Sequence, residues 1–260
     1  MSKPFSVGAA LVAAWLCGAS VDAAQPLEEI VDQHFDVDAD ATLRVQNTDG
    51  SIRVYAAEAP VITVQAIKKA YNTERLRGIR VETKATPSSV AITTSFPPRK
   101  NAVSDRSGTV DYIIVVPQTA RISQLELTNG EILVEGLRNG GNAKARLVNG
   151  WMIGRNCFGS LDFTVDTGRL DIVYDWWENH EFAIKALNHR GHVHAIFPSQ
   201  ASLNLSATAT EGRVANGFGN KKTGPGDIVH SIAEVIGPNA QTSVALEARR
   251  GNIRIDKVLD

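Results

Sequence analysis

Residues 129–134 read Asn129-Gly130-Glu131-Ile132-Leu133-Val134, and 20 residues further on the chain repeats itself as Asn149-Gly150-Trp151-Met152-Ile153. The same phrase returns as Gly168-Arg169-Leu170-Asp171-Ile172, Gly191-His192-Val193-His194-Ala195, Gly212-Arg213-Val214-Ala215 and Gly251-Asn252-Ile253-Arg254-Ile255. An earlier copy stands at Gly50-Ser51-Ile52-Arg53-Val54. The second position after each glycine is Ile52, Ile132, Met152, Leu170, Val193, Val214 and Ile253, apolar every time. Apolar residues recurring at every second place are the pattern of a strand with one buried face, not of a helix.

The spacing of the copies suggests how the strands are joined. From Gly130 the steps to successive glycines are 20, 18, 23, 21 and 39 residues, the last close to two steps with an insertion. Half-steps fall between, at Gly141-Asn142-Ala143-Lys144-Ala145 and Gly159-Ser160-Leu161-Asp162-Phe163. A unit of about 20 residues therefore predicts two short strands, each closed by a turn, with Asn-Gly supplying residues that tolerate positive φ. A hairpin sandwich would alternate strand direction, yet here the glycine opens each strand in the same sense. The expected architecture is all-β: a single-stranded β-solenoid, parallel β-helix-like, with two-strand coils. Gly50, Gly130, Gly150, Gly168, Gly191, Gly212 and Gly251 are its structural turn glycines. Coils stacked in this way bury a face that none could bury alone.

Residues 1–23 read as a secretory signal peptide. Lys3 gives a positive end, residues 5–19 are uncharged and mostly apolar, and Val21-Asp22-Ala23 offers a cleavage site. The apolar run is shorter than the roughly 20 residues a membrane span wants. Export to the periplasm or to the cell surface is expected, with no membrane span after cleavage. Residues 24–120 then form an irregular N-terminal β region of the same domain, and residues 121–260 the repeats. Strands are expected at 35–46, 51–55, 61–70, 78–83, 90–96 and 110–116, and loops at 97–102 and 221–226. Only residues 27–34 hint at a helical period.

Composition narrows the function. Twenty-seven Lys and Arg against 28 Asp and Glu give a net charge of −1, which removes the basic footprint of a nucleic-acid binder. Beyond the leader Cys157 is the one thiol, with no neighbouring His or Lys to activate it, so it is expected as a packed residue. Asp36, Asp38 and Asp40 imitate the start of a calcium loop, but Ala41 and Asn47 stand where glycine and glutamate are required. No Gly-x-Ser-x-Gly elbow, phosphate loop or His-Glu-x-x-His phrase occurs, and no catalytic residue or cofactor is expected.

Thr42-Leu43-Arg44-Val45-Gln46-Asn47-Thr48-Asp49-Gly50-Ser51-Ile52-Arg53-Val54 is followed by Lys68-Lys69-Ala70 and by Tyr112-Ile113-Ile114-Val115-Val116-Pro117. With the Asn-Gly-x-Ile phrases and the closing Gly251-Asn252-Ile253-Arg254-Ile255, residues 35–258 resemble the bacterial "putative adhesin" family of unknown function. That family is related to auto-transporter adhesin head, or GIN, domains. Thr167, Arg190, Glu211 and Arg250 replace the family's Asn before Gly. The resemblance implies an exported solenoid with a role in envelope interactions, and it carries over no catalytic residue.

Any ligand site is expected in the outward rows, where the first and third positions after each glycine stack between coils. His192 and His194, on one face and beside Asp171, are the weak metal candidates, and Arg169 and Arg213 are expected to flank His192 and repel a cation. Trp151, Tyr174, Trp176 and Trp177 are binding candidates at a coil edge. Asp171 with Arg169, and Asp162, are the seeds of the enzymatic alternative, a carbohydrate-active enzyme on a β-helix. A third alternative is an accessory module in envelope-stress sensing. The expected partner is an envelope or surface protein or glycan, and homo-association through open coil ends is a further expectation.

Overall fold

The computed structural model describes residues 25–98, 108–138, 140–218 and 229–258. The leader at 1–23, the 221–226 loop and most of the 97–102 loop lie outside the described residues. Strand accounts for 71% of what is described and helix for 3%, so the chain is all-β. Among the described residues no helix is long and apolar enough to cross a membrane.

The N-terminal part comprises β1 (Leu27–Asp36), β2 (Thr42–Ala57), β3 (Val61–Ala70), a short helix α1 (Thr73–Gly78), β4 (Arg80–Thr86), β5 (Ser89–Ser95) and β6 (Thr109–Pro117). The repeats supply β7 (Arg121–Glu135), β8 (Asn142–Arg155), β9 (Ser160–Val173) and β10 (Ala183–Pro198). They continue with β11 (Leu203–Glu211), β12 (Val214–Asn216), β13 (Ser231–Ile236), β14 (Thr242–Arg250) and β15 (Ile253–Val258). The hint of helix at 27–34 is a strand: β1 runs antiparallel to β3 along its whole length. Among the described residues the one helix is capped by Asn72, whose side chain accepts the Arg75 amide at 2.6 Å, an N-cap absent from the sequence expectations.

Five of the seven glycines do not close turns, while at Gly212 and Gly251 the strand is interrupted by a bend. Strands β2, β7, β8, β9 and β10 each run straight through their glycine, which keeps a φ of +127 to +138°, a region side-chain-bearing residues avoid. The alternation of buried residues slips by one place there. In β8 the inward residues are Ala143, Ala145 and Leu147, then Met152 and Gly154. In β9 they are Leu161, Phe163 and Val165, then Leu170 and Ile172. Five residues, not four or six, separate the last inward side chain of one limb from the first of the next. The glycine is thus a corner that lets both limbs present an apolar face, and all seven second-position residues are buried.

Neighbouring corners stack glycine on glycine: Gly50, Gly130, Gly150, Gly168 and Gly191 pair in register. A Cβ built on Gly150 would overlap the Gly130 carbonyl oxygen. Gly212 departs from the set, since its φ lies outside the left-handed region. The asparagines before glycine have a different task from the one their turn propensity suggests. Asn149 donates to Asn129 Oδ1 at 3.1 Å, and Asn129 to Asp49 Oδ1 at 2.8 Å, a side-chain ladder between coils. Corners at Thr167 and Arg190 form without that ladder, and at the second the buried Asn188 donates to the Gly168 and His192 carbonyls at 3.0 and 3.1 Å.

The expected single-stranded solenoid needs two corrections. The sheet is open and mixed: β1–β3, β3–β6, β4–β5 and β11–β13 are antiparallel, and the parallel ladder runs between them. The coils also do not follow chain order. The C-terminal β14 pairs with β10 on one side and with β11 on the other, while β15 lies between β10 and β12. The last coil of the chain is therefore threaded into the stack. The 39-residue step from Gly212 to Gly251 reflects this return, not a missing coil.

Candidate functional site

Threading the C-terminal coil brings a polar cluster together on the outward face of four strands. Just past the corner, register places Arg169 beside His192, the backbone amide of Asn252 donates to His192 Nδ1, and the backbone amide of Arg213 donates to Asn252 Oδ1 at 3.0 Å. Two residues on, Asp171, His194, Arg254 and Ala215 form the next row. Apart from the buried Asp171, both rows line a groove of about 770 Å³, together with Asp256.

A chain of side-chain contacts crosses the strands here. Trp151 Nε1 donates to Asp171 Oδ2 at 2.8 Å, and Arg169 Nε donates to Asp171 Oδ1 at 2.7 Å. Arg169 Nη2 reaches His194 Nδ1 at 3.4 Å, and His194 Nε2 lies 2.7 Å from Asp256 Oδ2. Arg254 Nε closes on both oxygens of Asp256, at 2.9 and 2.7 Å. A neutral imidazole with its proton on Nε2 satisfies both of its neighbours, accepting from the guanidinium and donating to the carboxylate. Partial burial raises the Asp256 carboxyl, but the hydrogen bonds from Arg254 and His194 prevail and hold it below its ordinary value.

His192 does not sit between two arginines. Arg169 flanks it on one side, but Asn252 takes the other, and the Asn252 amide donates to His192 Nδ1 at 3.3 Å. Arg213 is one strand further out. Asp171 does lie beside His194, as expected, but it is 3% exposed and both its oxygens are engaged. Among the described residues no group of three or more His, Cys, Asp or Glu is arranged to hold a metal. Asp256 escaped the sequence reading, although continuing the alternation Asn252, Arg254 by one step reaches it.

The aromatic candidates divide. Tyr174, expected at an edge, is fully buried; its hydroxyl donates to the Cys157 carbonyl, and its ring stacks on Phe197 at 5.8 Å. Trp177 packs against the core beside Tyr174, Phe182 and Phe197. Tyr174 belongs to the apolar interior, and Trp177 is a half-buried ring packed against it. Trp176 is 41% exposed and Trp151 40%. Trp176 is held by Glu178 at 3.1 Å. Trp151 continues the first outward row from Arg169, whose guanidinium carbon lies 5.4 Å from its ring centre. Cys157 is buried, and burial pushes its thiol up to about 12.

No family model matches the chain, and no curated protein does. Among solved structures it is similar to a "putative cell adhesion protein" from Clostridium sporogenes, at 16% identity over 90% of this chain and 100% of that one, with a TM-score of 0.48. It is similar also to a "putative adhesin" from Bacteroides fragilis, at 12% identity over 89% and 99%, with a TM-score of 0.30. A "putative lipid binding protein" from Parabacteroides distasonis gives 9% identity over 88% and 97%, with a TM-score of 0.28. Likenesses of this size carry no argument about what the chain does.

Proposed function

We propose that the chain is an exported, non-enzymatic, coil-built β protein of adhesin-like role, which binds cell-envelope or surface components through the outward rows of its stacked strands. The observation that carries this reading is the groove across β9, β10, β15 and β12, where side chains from four strands meet on one face. The signal-like residues 1–23 support export, and the long parallel β2–β7 pairing, from Thr42–Arg121 to Tyr55–Glu135, supports placing the N-terminal region and the repeats in one domain. The state of the carboxylates supports binding over catalysis. A glycosidase needs one carboxyl able to donate a proton and a second able to act as base or nucleophile. Asp171, beneath the groove's edge, is buried and doubly bonded, and Asp256, which lines the groove, is held by Arg254 and His194.

Crosslinking in intact cells, followed by mass spectrometry of material joined to residues 190–196 and 252–256, tests the reading. Recovery of an envelope protein or glycan is expected. Adducts confined to cytoplasmic components, or turnover of an envelope polysaccharide that Asp171→Ala abolishes, would overturn it.

A further inference from the structure

The first outward row carries an order of side chains that points to a ligand class. Following register across the strands, and past His192 the backbone amide contacts, it runs Glu131, Trp151, Arg169, His192, Asn252, Arg213. Glu131 is paired with Arg53 at 2.9 Å, and beyond it the row continues to Ser51 and Asp111. The five positions from Trp151 to Arg213 hold one exposed aromatic ring and then four side chains with nitrogen donors, and no acid. Strands stand about 4.8 Å apart, so this stretch spans about 19 Å at right angles to the strands.

The charges beside the row are already balanced. Asp171 is neutralised by Arg169, and Asp256 by Arg254, so Arg213 is an exposed cation for which no ion pair exists among the described residues. Arginine offers planar pairs of N–H donors that match a carboxylate or sulfate bidentately. An aromatic ring offers the apolar face of a sugar a place to rest.

We propose, resting on the envelope-binding reading above, that this row is a subsite for an acidic polysaccharide. Its chain lies along the stacking direction, with a sugar ring against Trp151 and its oxyanions on Arg213, Asn252 and His192. A linear polymer fits the groove and the single row. A membrane surface calls for clustered lysines and arginines projecting from a face, and no lysine lines this groove.

The test measures binding of the full chain to polygalacturonate, dextran sulfate, neutral dextran and phosphatidylglycerol vesicles. Binding to one of the two charged polymers is expected, weakening steeply with salt, with no retention of neutral dextran. Preference for polygalacturonate assigns the oxyanions to uronate carboxylates, and preference for dextran sulfate to sulfate esters; both support the site. Arg213→Ala, at an exposed position the fold does not need, is expected to weaken binding at least tenfold, and Trp151→Phe to preserve it better than Trp151→Ala. Lys144→Ala, exposed on β8 outside the groove, is expected to change nothing. Binding to vesicles alone, equal binding of neutral dextran, or indifference to Arg213→Ala would overturn the proposal. If the polymers fail while crosslinking still recovers an envelope component, the subsite falls and the envelope-binding reading stands. If both fail, both fall.

Discussion

His194 and Asp256 stand 62 residues apart in the chain, yet His194 Nε2 lies 2.7 Å from Asp256 Oδ2. The contact exists because β15 lies directly beside β10, between it and β12. One topological fact thus arranges the stack and assembles the groove.

Removing residues 242–260 would take out a coil from the middle of the stack. In a solenoid built in chain order the last coil could be trimmed at small cost, since each coil contacts only its neighbours. Here β11 and β12 would lose their parallel partners, and β10 would lose two of its three, β14 and β15. The truncated chain is expected to lose its cooperative thermal transition by circular dichroism. A single sharp transition near the parent Tm would contradict the threaded order.

Gly150→Ala and Gly140→Ala separate two penalties. Both glycines have positive φ, +138° and +94°, and a side chain there costs about 1–3 kcal/mol in strain. At Gly140 an added Cβ meets nothing nearer than Thr119 Cγ2 at 4.0 Å, whereas at Gly150 it overlaps the next coil's backbone. Gly150→Ala is expected to lower stability by clearly more than Gly140→Ala in urea titrations. Equal losses would show that the glycine row is not close-packed.

Asp256 gives the groove an acid limit. Its folded value is depressed, so its contribution is present above its ordinary value of 3.8 and is lost as pH falls through the lower folded value. Asp256→Asn is expected to lower stability at neutral pH by about 0.2–1 kcal/mol, as for a half-exposed pair, and to flatten the fall in Tm in acid. An unchanged acid profile would remove Asp256 from the network.

Cys157 offers a check on the interior. With its thiol pushed up to about 12 by burial, it is expected to resist iodoacetamide at pH 8 in the native chain and to react fully in denaturant. Rapid native alkylation of the Cys157 peptide would contradict the packing of the aromatic cluster.

Much of the local structure was legible in the sequence. The second-position residues from Ile52 to Ile253 announced a buried face, and all are buried. The direction of the repeat was legible too, because a glycine opening each phrase in the same sense requires parallel neighbours. The corner was misread as a turn, since Asn-Gly has the same chemistry in both settings and only the slip in alternation, Leu147 to Met152, tells them apart. Strand order was not legible at all. Every coil carries the same glycine and apolar code, so nothing in residues 251–255 says whether they stack on Gly212 or slip in before it. The groove inherits that blindness: His192, His194 and Arg254 could be named as outward residues, but not as neighbours.

Hydroxyl-radical footprinting of the chain with and without an envelope extract, read by mass spectrometry at single side chains, tests most directly whether the groove is the binding face. Protection of His192, His194 and Trp151 is expected, with Trp176 oxidised equally in both samples. Protection of Trp176 with the two histidines and Trp151 unchanged would place the binding surface elsewhere and contradict the assignment.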